Sequence, residues 1–350
     1  MPTPLAVPGT SAPRPGVFTI SLDFELRWGT LDSIPFERYR TNVLGARRVI
    51  PRLVSAFVAS GVHATWATVG FLFFDRKDEL LASLPTVLPD YDNPILSPYP
   101  YLATIGANER EDPYHYARSL VREIAWHPGQ EIGTHTFSHY YCLEDGQTAD
   151  SFRADLAAAV AAAQPLDLAL RSLVFPRNQC NPRHLEICRS LGIVTYRGVE
   201  RAWLYQPEPT DQNRPAKRLV RLLDHYVDIS GHNDFSPDPP AARLPMNIPS
   251  SRFLRPTGPG WQLLDGIRLR RILAGMTSAA QNGTVFHLWW HPENFGAQPD
   301  ANLAFLGRIL AHYRRLAGSY GMLSKTMGEL GASLDPAIDR SRAFSSPALH

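Results

Sequence analysis

Three cysteines, Cys142, Cys180 and Cys188, are few for 350 residues, and their number is odd. None stands in a CxxC spacing, so a disulfide framework is not expected and the predicted setting is a reducing one. Long apolar runs are missing as well: no stretch approaches the roughly 18 residues of a membrane-spanning helix. The first residues, MPTPLAVPGTSAPRPG, lack the basic start and apolar core of a secretory signal. Residues 1–15 are expected to be a disordered segment and the protein cytoplasmic, which makes the single sequon, Asn282-Gly283-Thr284, a chance match. Charge of one sign is not in excess either, since 35 Lys plus Arg face 33 Asp plus Glu, for a formal +2. That balance gives no electrostatic case for nucleic acid or an anionic membrane surface, and partners should be small or neutral. What is present is 44% hydrophobic residues, enough for a large core.

The apolar residues fall into short β-branched runs alternating with helical patterns. VFTISLDF (17–24) predicts a strand with Asp23 near its C-terminal end. Residues 42–61 carry apolar residues at helical spacing, end at Gly61 and are expected to kink near Pro51. VHATWATVGFLF (62–73) predicts a strand, and the turn-rich, aromatic stretch 75–113 an insertion lying over a site. A helix near 114–126 precedes the strand that ends in EIGTHTFSHYYC (131–142). SFRADLAAAVAAAQ, SLVFP, PRHLEICRSLG and IVTYRG continue as helix, strand, helix, strand, and GIRLRRILAGMTSAAQNG with TVFHLWWHP supplies the last pair. Repeated β-α units imply a parallel sheet in an α/β fold, a barrel or a doubly wound layer, with chemistry at the C-terminal strand ends. The barrel domain is assigned to 16–334 and a tail to 335–350.

Six ionisable groups from four segments fall at those ends: Asp23 and Glu25, His135 and His139, Arg177, and His291. Asp23 and Glu25 are spaced i, i+2, so in an extended strand they share a face. Two histidines and one carboxylate leave coordination positions open, as a catalytic metal site requires. A divalent ion so held lowers the pKa of water toward ~7 and polarises a carbonyl.

The segments SLDFE, THTFSHYY, VFPRNQ and LWWHPENF resemble, in order, four of the five motifs of the polysaccharide deacetylases, over about residues 17–296. The resemblance implies an irregular (β/α) barrel of about seven strands and a divalent ion, Zn²⁺ before Ni²⁺, Co²⁺ or Fe²⁺. It also implies hydrolysis of an N-acyl or O-acyl group, usually acetyl on an amino sugar; the sequence itself does not separate acetyl from formyl. By that likeness Glu25, His135 and His139 are the metal ligands and Asp23 the general base. Arg177 would be the partner of Asp23, and His291 the acid that protonates the departing nitrogen. The chain departs from the family at the acidic motif, where two adjacent aspartates are usual. The segment lining the acyl pocket has no clear counterpart.

For substrate contacts the expectation falls on Asn178, on Trp290 as a sugar-stacking wall, and on Arg252 and Arg255 in SRFLRPTGPG (251–260) as partners of a phosphate or carboxylate. With a cytoplasmic setting, the expected substrate is a soluble or lipid-linked sugar precursor. Plainer roles stand beside these: Glu25 paired with Arg27, Arg177 with Asp155 or Glu186, Arg252 and Arg255 as solvated charge, His287 and Cys142 as core residues. Two other classes are open, a non-haem iron oxygenase built on the same donor set and a catalytically inactive carbohydrate-binding protein of the same fold.

Overall fold

In a computed structural model the protein is described over residues 14–205, 215–224, 226–227, 229–236, 245–258 and 262–334. Most of the expected N-terminal segment and all of the tail 335–350 lie outside the described residues. The order of elements is β1 (Val17–Phe24), α1 (Phe36–Ser60), β2 (Ala64–Thr68), α2 (Lys77–Ala82), α3 (Arg118–Trp126), β3 (Gln130–Thr134), α4 (Ala149–Ala163), β4 (Ser172–Val174), α5 (Leu185–Ser190) and β5 (Thr195–Arg197). Then follow α6 (Pro215–Asp224), β6 (Met246–Asn247), β7 (Arg252–Phe253), α7 (Gln262–Asn282), β8 (Val285–Trp290), α8 (Pro292–Gly296), α9 (Pro299–Tyr320), β9 (Leu323–Ser324) and α10 (Met327–Leu334).

All strand pairs are parallel, in the order β6-β5-β4-β3-β2-β1-β8-β7, with β9 alongside β1. The two outer strands, β6 and β7, belong to one extended segment. Ile248 N and Ser250 N donate to Tyr196 O and Gly198 O beside β5, whereas Ser251 N and Leu254 N donate to His287 O and Trp289 O on β8. The chain therefore changes neighbour between Ser250 and Ser251, and this change curls the sheet into an irregular α/β barrel. Strands of two residues carry no periodic pattern, which is why the sequence shows none here.

Strand β1 explains why the barrel is polar inside at one end. Every residue from Val17 to Phe24 is buried. Phe18, Ile20, Leu22 and Phe24 join the large cluster with Val49, Leu53 and Phe57 of α1. Thr19, Ser21 and Asp23 alternate to the opposite, inner face. The inner apolar cluster is small: Val17, Ala67, Val174, Met246, Val285 and Met327 are among it. The lumen thus holds only a small apolar cluster, beside which the polar residues of β1 lead to the strand ends.

Two elements differ from expectation. Helix α1 starts at Phe36 and runs through Pro51 to the left-handed cap Gly61, so the proline is absorbed within it. Strand β2 ends at Thr68, and Gly70–Phe73 forms a 3-10 turn. The 75–113 stretch holds α2 and short turns, and packs Tyr91 and Leu96 against Tyr141. Among the described residues no helix is long and apolar enough to cross a membrane.

Candidate active site

Because the strands are parallel, their C-terminal ends share one rim, where β1, β3, β5 and β8 deliver their polar residues. Glu25 follows β1, and its Oε1 lies 2.8 Å from His135 Nε2 and 3.2 Å from His139 Nε2. These three residues are at most 6% exposed. Ligand atoms around a tetrahedral ion with Zn–N bonds of 2.0–2.1 Å stand about 3.3 Å apart, so the spacing suits one cation. The His135 ring supports this: Nδ1 is 2.8 Å from Val174 O. A carbonyl only accepts, so Nδ1 holds the proton and Nε2 offers a lone pair toward Glu25, the orientation of a metal-binding imidazole.

His139 reaches this position through backbone geometry. Thr136 and His139 both have positive φ, 64° and 61°, an uncommon state for residues with side chains and one that the surroundings must impose. The carboxylate of Asp155, from α4, accepts from Phe137 N at 2.8 Å and Ser138 N at 3.2 Å, and from the Ser138 hydroxyl. Thr136 Oγ1 accepts from Tyr140 N at 2.7 Å. Gly70 lies under the loop, where a Cβ would come within 2.6 Å of the Phe137 ring. Gly29 makes the corresponding room for Glu25, since a Cβ there would land inside the Glu25 carboxylate. Glu293, on α8, accepts from Leu26 N at 2.5 Å and Glu25 N at 3.3 Å, holding the turn in which Leu26 takes φ 50°.

Asp23 has a different environment. Arg197, the last residue of β5, grips it with both nitrogens: Nη1 to Oδ1 at 2.6 Å and Nη2 to Oδ2 at 2.7 Å. Arg197 Nη2 also donates to Asn178 Oδ1 at 3.0 Å, and its guanidinium lies 4.1 Å from the Trp289 ring centre. A second group of donors, Asp23, Glu25 and His291, could also hold an ion. With both Asp23 oxygens taken by a guanidinium, the Glu25–His135–His139 set is the better cation site.

The charges follow from these contacts. Burial would raise the Asp23 carboxyl, but the Arg197 guanidinium, with His291 beside it, outweighs burial and lowers its pKa. Burial opposes ionisation of Glu25 too, yet the charged His291 ring outweighs it and holds Glu25 well below the usual range. Burial lowers the pKa of His139, as a neutral ligand needs. His291 Nε2, 3.6 Å from Glu25 Oε1 and 3.7 Å from Asp23 Oδ2, would be discharged by burial alone. The two carboxylates instead raise it to about 9.

Asp23, Glu25, His135, His139 and His291 thus converge, whereas the expectations for Arg177, Trp290 and Arg252 need correction. Arg177 is not the partner of Asp23. It sits with Asn178 in a turn of positive φ after β4, pairs with Asp32 and lies over the Tyr141 ring at 4.5 Å. Asn178 accepts from Arg197 through Oδ1 and stays partly exposed. Trp290 is fully buried between Phe57 and Phe295 outside the barrel. Trp289, on the opposite face, is the tryptophan beside His291, at 5.8 Å. Arg252 is 3% exposed and locked to Asp224 and Gly231 O, so it is no rim cation. Arg255 is half-buried beside Tyr226 and Arg268, with burial lowering its pKa. Sequence reasoning missed Arg197, Asp155, Glu293 and Gly29; only Arg197, closing the strand IVTYRG, carried the strand-end signal used for the others.

No family model matches the chain, and no curated protein matches it in sequence. Solved structures do match. A putative polysaccharide deacetylase from Mycobacterium smegmatis aligns over 99% of this chain and 98% of its own, at TM-score 0.54 and 13% identity. A probable polysaccharide deacetylase from Pseudomonas aeruginosa aligns over 90% and 89%, at TM-score 0.51 and 10% identity. A 4-alpha-glucanotransferase from Thermococcus litoralis also matches, at TM-score 0.51 and 11% identity, over 91% of this chain and 40% of its own. Likeness at this level speaks to architecture, and the chain has the fold of the polysaccharide deacetylases.

Proposed function

We propose that the protein is a metal-dependent hydrolase that removes an acyl group, N-acetyl or N-formyl, from an amino sugar or a soluble or lipid-linked glycoconjugate precursor. Glu25, His135 and His139 would hold the ion, with zinc the best fit to two imidazoles and one carboxylate. A divalent cation there supplies Lewis acidity toward water and the acyl oxygen. The protein's own groups do the rest. Asp23 takes the proton of the attacking water as the water oxygen bonds to the acyl carbon. Arg197 keeps the Asp23 carboxylate ionised and fixes its plane. His291 faces both carboxylates, which favour its protonated form, and gives its proton to the nitrogen as the C–N bond breaks, leaving an amine and a carboxylate. Trp289 beside His291 offers an aromatic face to a sugar ring.

The observation that carries this reading is the single Glu25 oxygen flanked by two imidazole Nε2 atoms, one of them committed to the lone-pair tautomer by Val174 O. The retained Asp23–Arg197 pair and His291 favour catalysis over sugar binding alone, which needs neither. The test is to load the protein with Zn²⁺ and incubate it with N-acetylated and N-formylated amino sugars, free and nucleotide-linked, assaying acetate and formate. Release that is stopped by chelation and restored by metal is expected. Full metal occupancy with no release from any of these substrates would sink the proposal.

A further inference from the structure

Two fully buried polar side chains of the barrel interior, Ser21 and His287, take no part in the chemistry above. The His287 ring is held at both nitrogens, Nδ1 lying 3.2 Å from Pro249 O and Nε2 2.9 Å from Ser21 Oγ. The carbonyl can only accept, so Nδ1 carries a proton. Burial, and after it the neighbouring Arg197, lowers the His287 pKa to about 3, which keeps the ring neutral and Nε2 a bare lone pair. The Ser21 hydroxyl must then donate to Nε2. Its oxygen is left to accept from Arg197 Nη1, 3.0 Å away, the same nitrogen that reaches Asp23 Oδ1. Every proton in the chain Arg197, Ser21, His287, Pro249 has one direction. A ring protonated at Nε2 would turn the Ser21 proton back toward the guanidinium.

We propose that His287 is a positioning residue: acting through Ser21, it fixes the rotation of the Arg197 guanidinium and thereby the plane of the Asp23 carboxylate. The polarity is set at Pro249, inside the segment that closes the barrel. Ser251, on the same segment, is bonded to the His287 backbone in both directions, Ser251 N to His287 O at 2.8 Å and His287 N to Ser251 Oγ at 3.0 Å. Barrel closure and the orientation of Asp23 are therefore coupled.

The inference rests on the reading of Asp23 as base, so its first test needs no turnover. In protein labelled with ¹⁵N-histidine, the His287 ring should show a protonated Nδ1 and an unprotonated Nε2, unchanged from pH 7 to 5, and Ser21→Ala should move the Nε2 signal. A protonated Nε2 overturns the proposal. In kinetics, His287→Leu and Ser21→Ala should each lower kcat about tenfold or more, with bound metal retained and KM within about twofold. The double variant should be no worse than the poorer single one, and His287→Gln, whose Oε1 can accept from Ser21, should recover most of the loss. Losses that multiply, or a His287→Leu variant as active as the wild type, count against it. If the ring signals are as expected but no acyl group is ever released, the hydrolase reading fails while the hydrogen-bond polarity stands.

Discussion

Two glutamates at opposite ends of the barrel look alike in sequence and differ in what surrounds them. Glu131, near the start of β3, accepts from Thr65 Oγ1 at 2.7 Å, Ser172 Oγ at 2.6 Å and Gly328 N at 3.0 Å. Each partner brings its own proton, so the carboxylate is satisfied and pins α10 to the strand starts. Glu25 instead meets Nε2 of His135, His139 and His291, and the His135 proton is spent on Val174 O. Its site is completed only by a cation or by added protons. The end of the barrel near Glu131 also borders a cavity of about 580 Å³, so a cavity alone does not mark a site, whereas unmet donor chemistry does.

The contrast breaks most sharply at the ligands. His135→Ala should abolish metal binding and with it turnover, measured by metal content after dialysis and by acyl release; a variant that still binds one equivalent tightly would move the site elsewhere. Asp23→Asn comes next: metal should stay, and kcat should fall about 10²–10⁴-fold, whereas full activity would remove its role as base. Gly29→Ala pushes a methyl into the Glu25 carboxylate, the end of a side chain that can swing aside. Metal affinity should drop about 10–100-fold while thermal stability hardly moves; an unchanged affinity would show that Glu25 is no ligand. At the other end, Glu131→Gln should cost about 1–3 kcal/mol in urea unfolding, the penalty of an unmet buried donor, and leave metal content untouched. Loss of metal from that variant would erase the distinction between the two ends.

The sequence showed the parts of this site that lie on regular strands and hid those that depend on turns. Asp23 and Glu25 were readable because period-two alternation sends i and i+2 to one face. His135 was readable as the residue after a strand. The spacing of His139 was visible, but its route through two positive-φ residues was not, and neither was Asp155, whose hold on Phe137 and Ser138 is a tertiary contact from α4. Arg177 misled for a related reason: its motif lies at a strand end, but the left-handed turn carries its side chain to Asp32. Of Trp289 and Trp290, alternation puts Trp289 on the face of His287 and His291, and the expectation placed on Trp290 overlooked that.

The smallest effect lies midway along the barrel, at His287. Its pKa falls from the ordinary 6.5 to about 3 in the folded chain, chiefly through burial. Between those values the unfolded chain binds a proton that the native protein refuses, so this group's contribution is fully present above pH 6.5 and is lost as pH falls toward 3. The slope it adds is at most about 1.4 kcal/mol per pH unit. His287→Gln removes this term, so its stability deficit against the wild type, read from urea midpoints, should shrink between pH 7 and pH 5. His184, lowered to about 4 by burial, keeps its own slope in both proteins, and the curves should converge without becoming flat. A deficit constant across that range would mean that His287 takes up a proton inside the folded barrel, and the direction assigned to the Ser21 hydroxyl would fall with it.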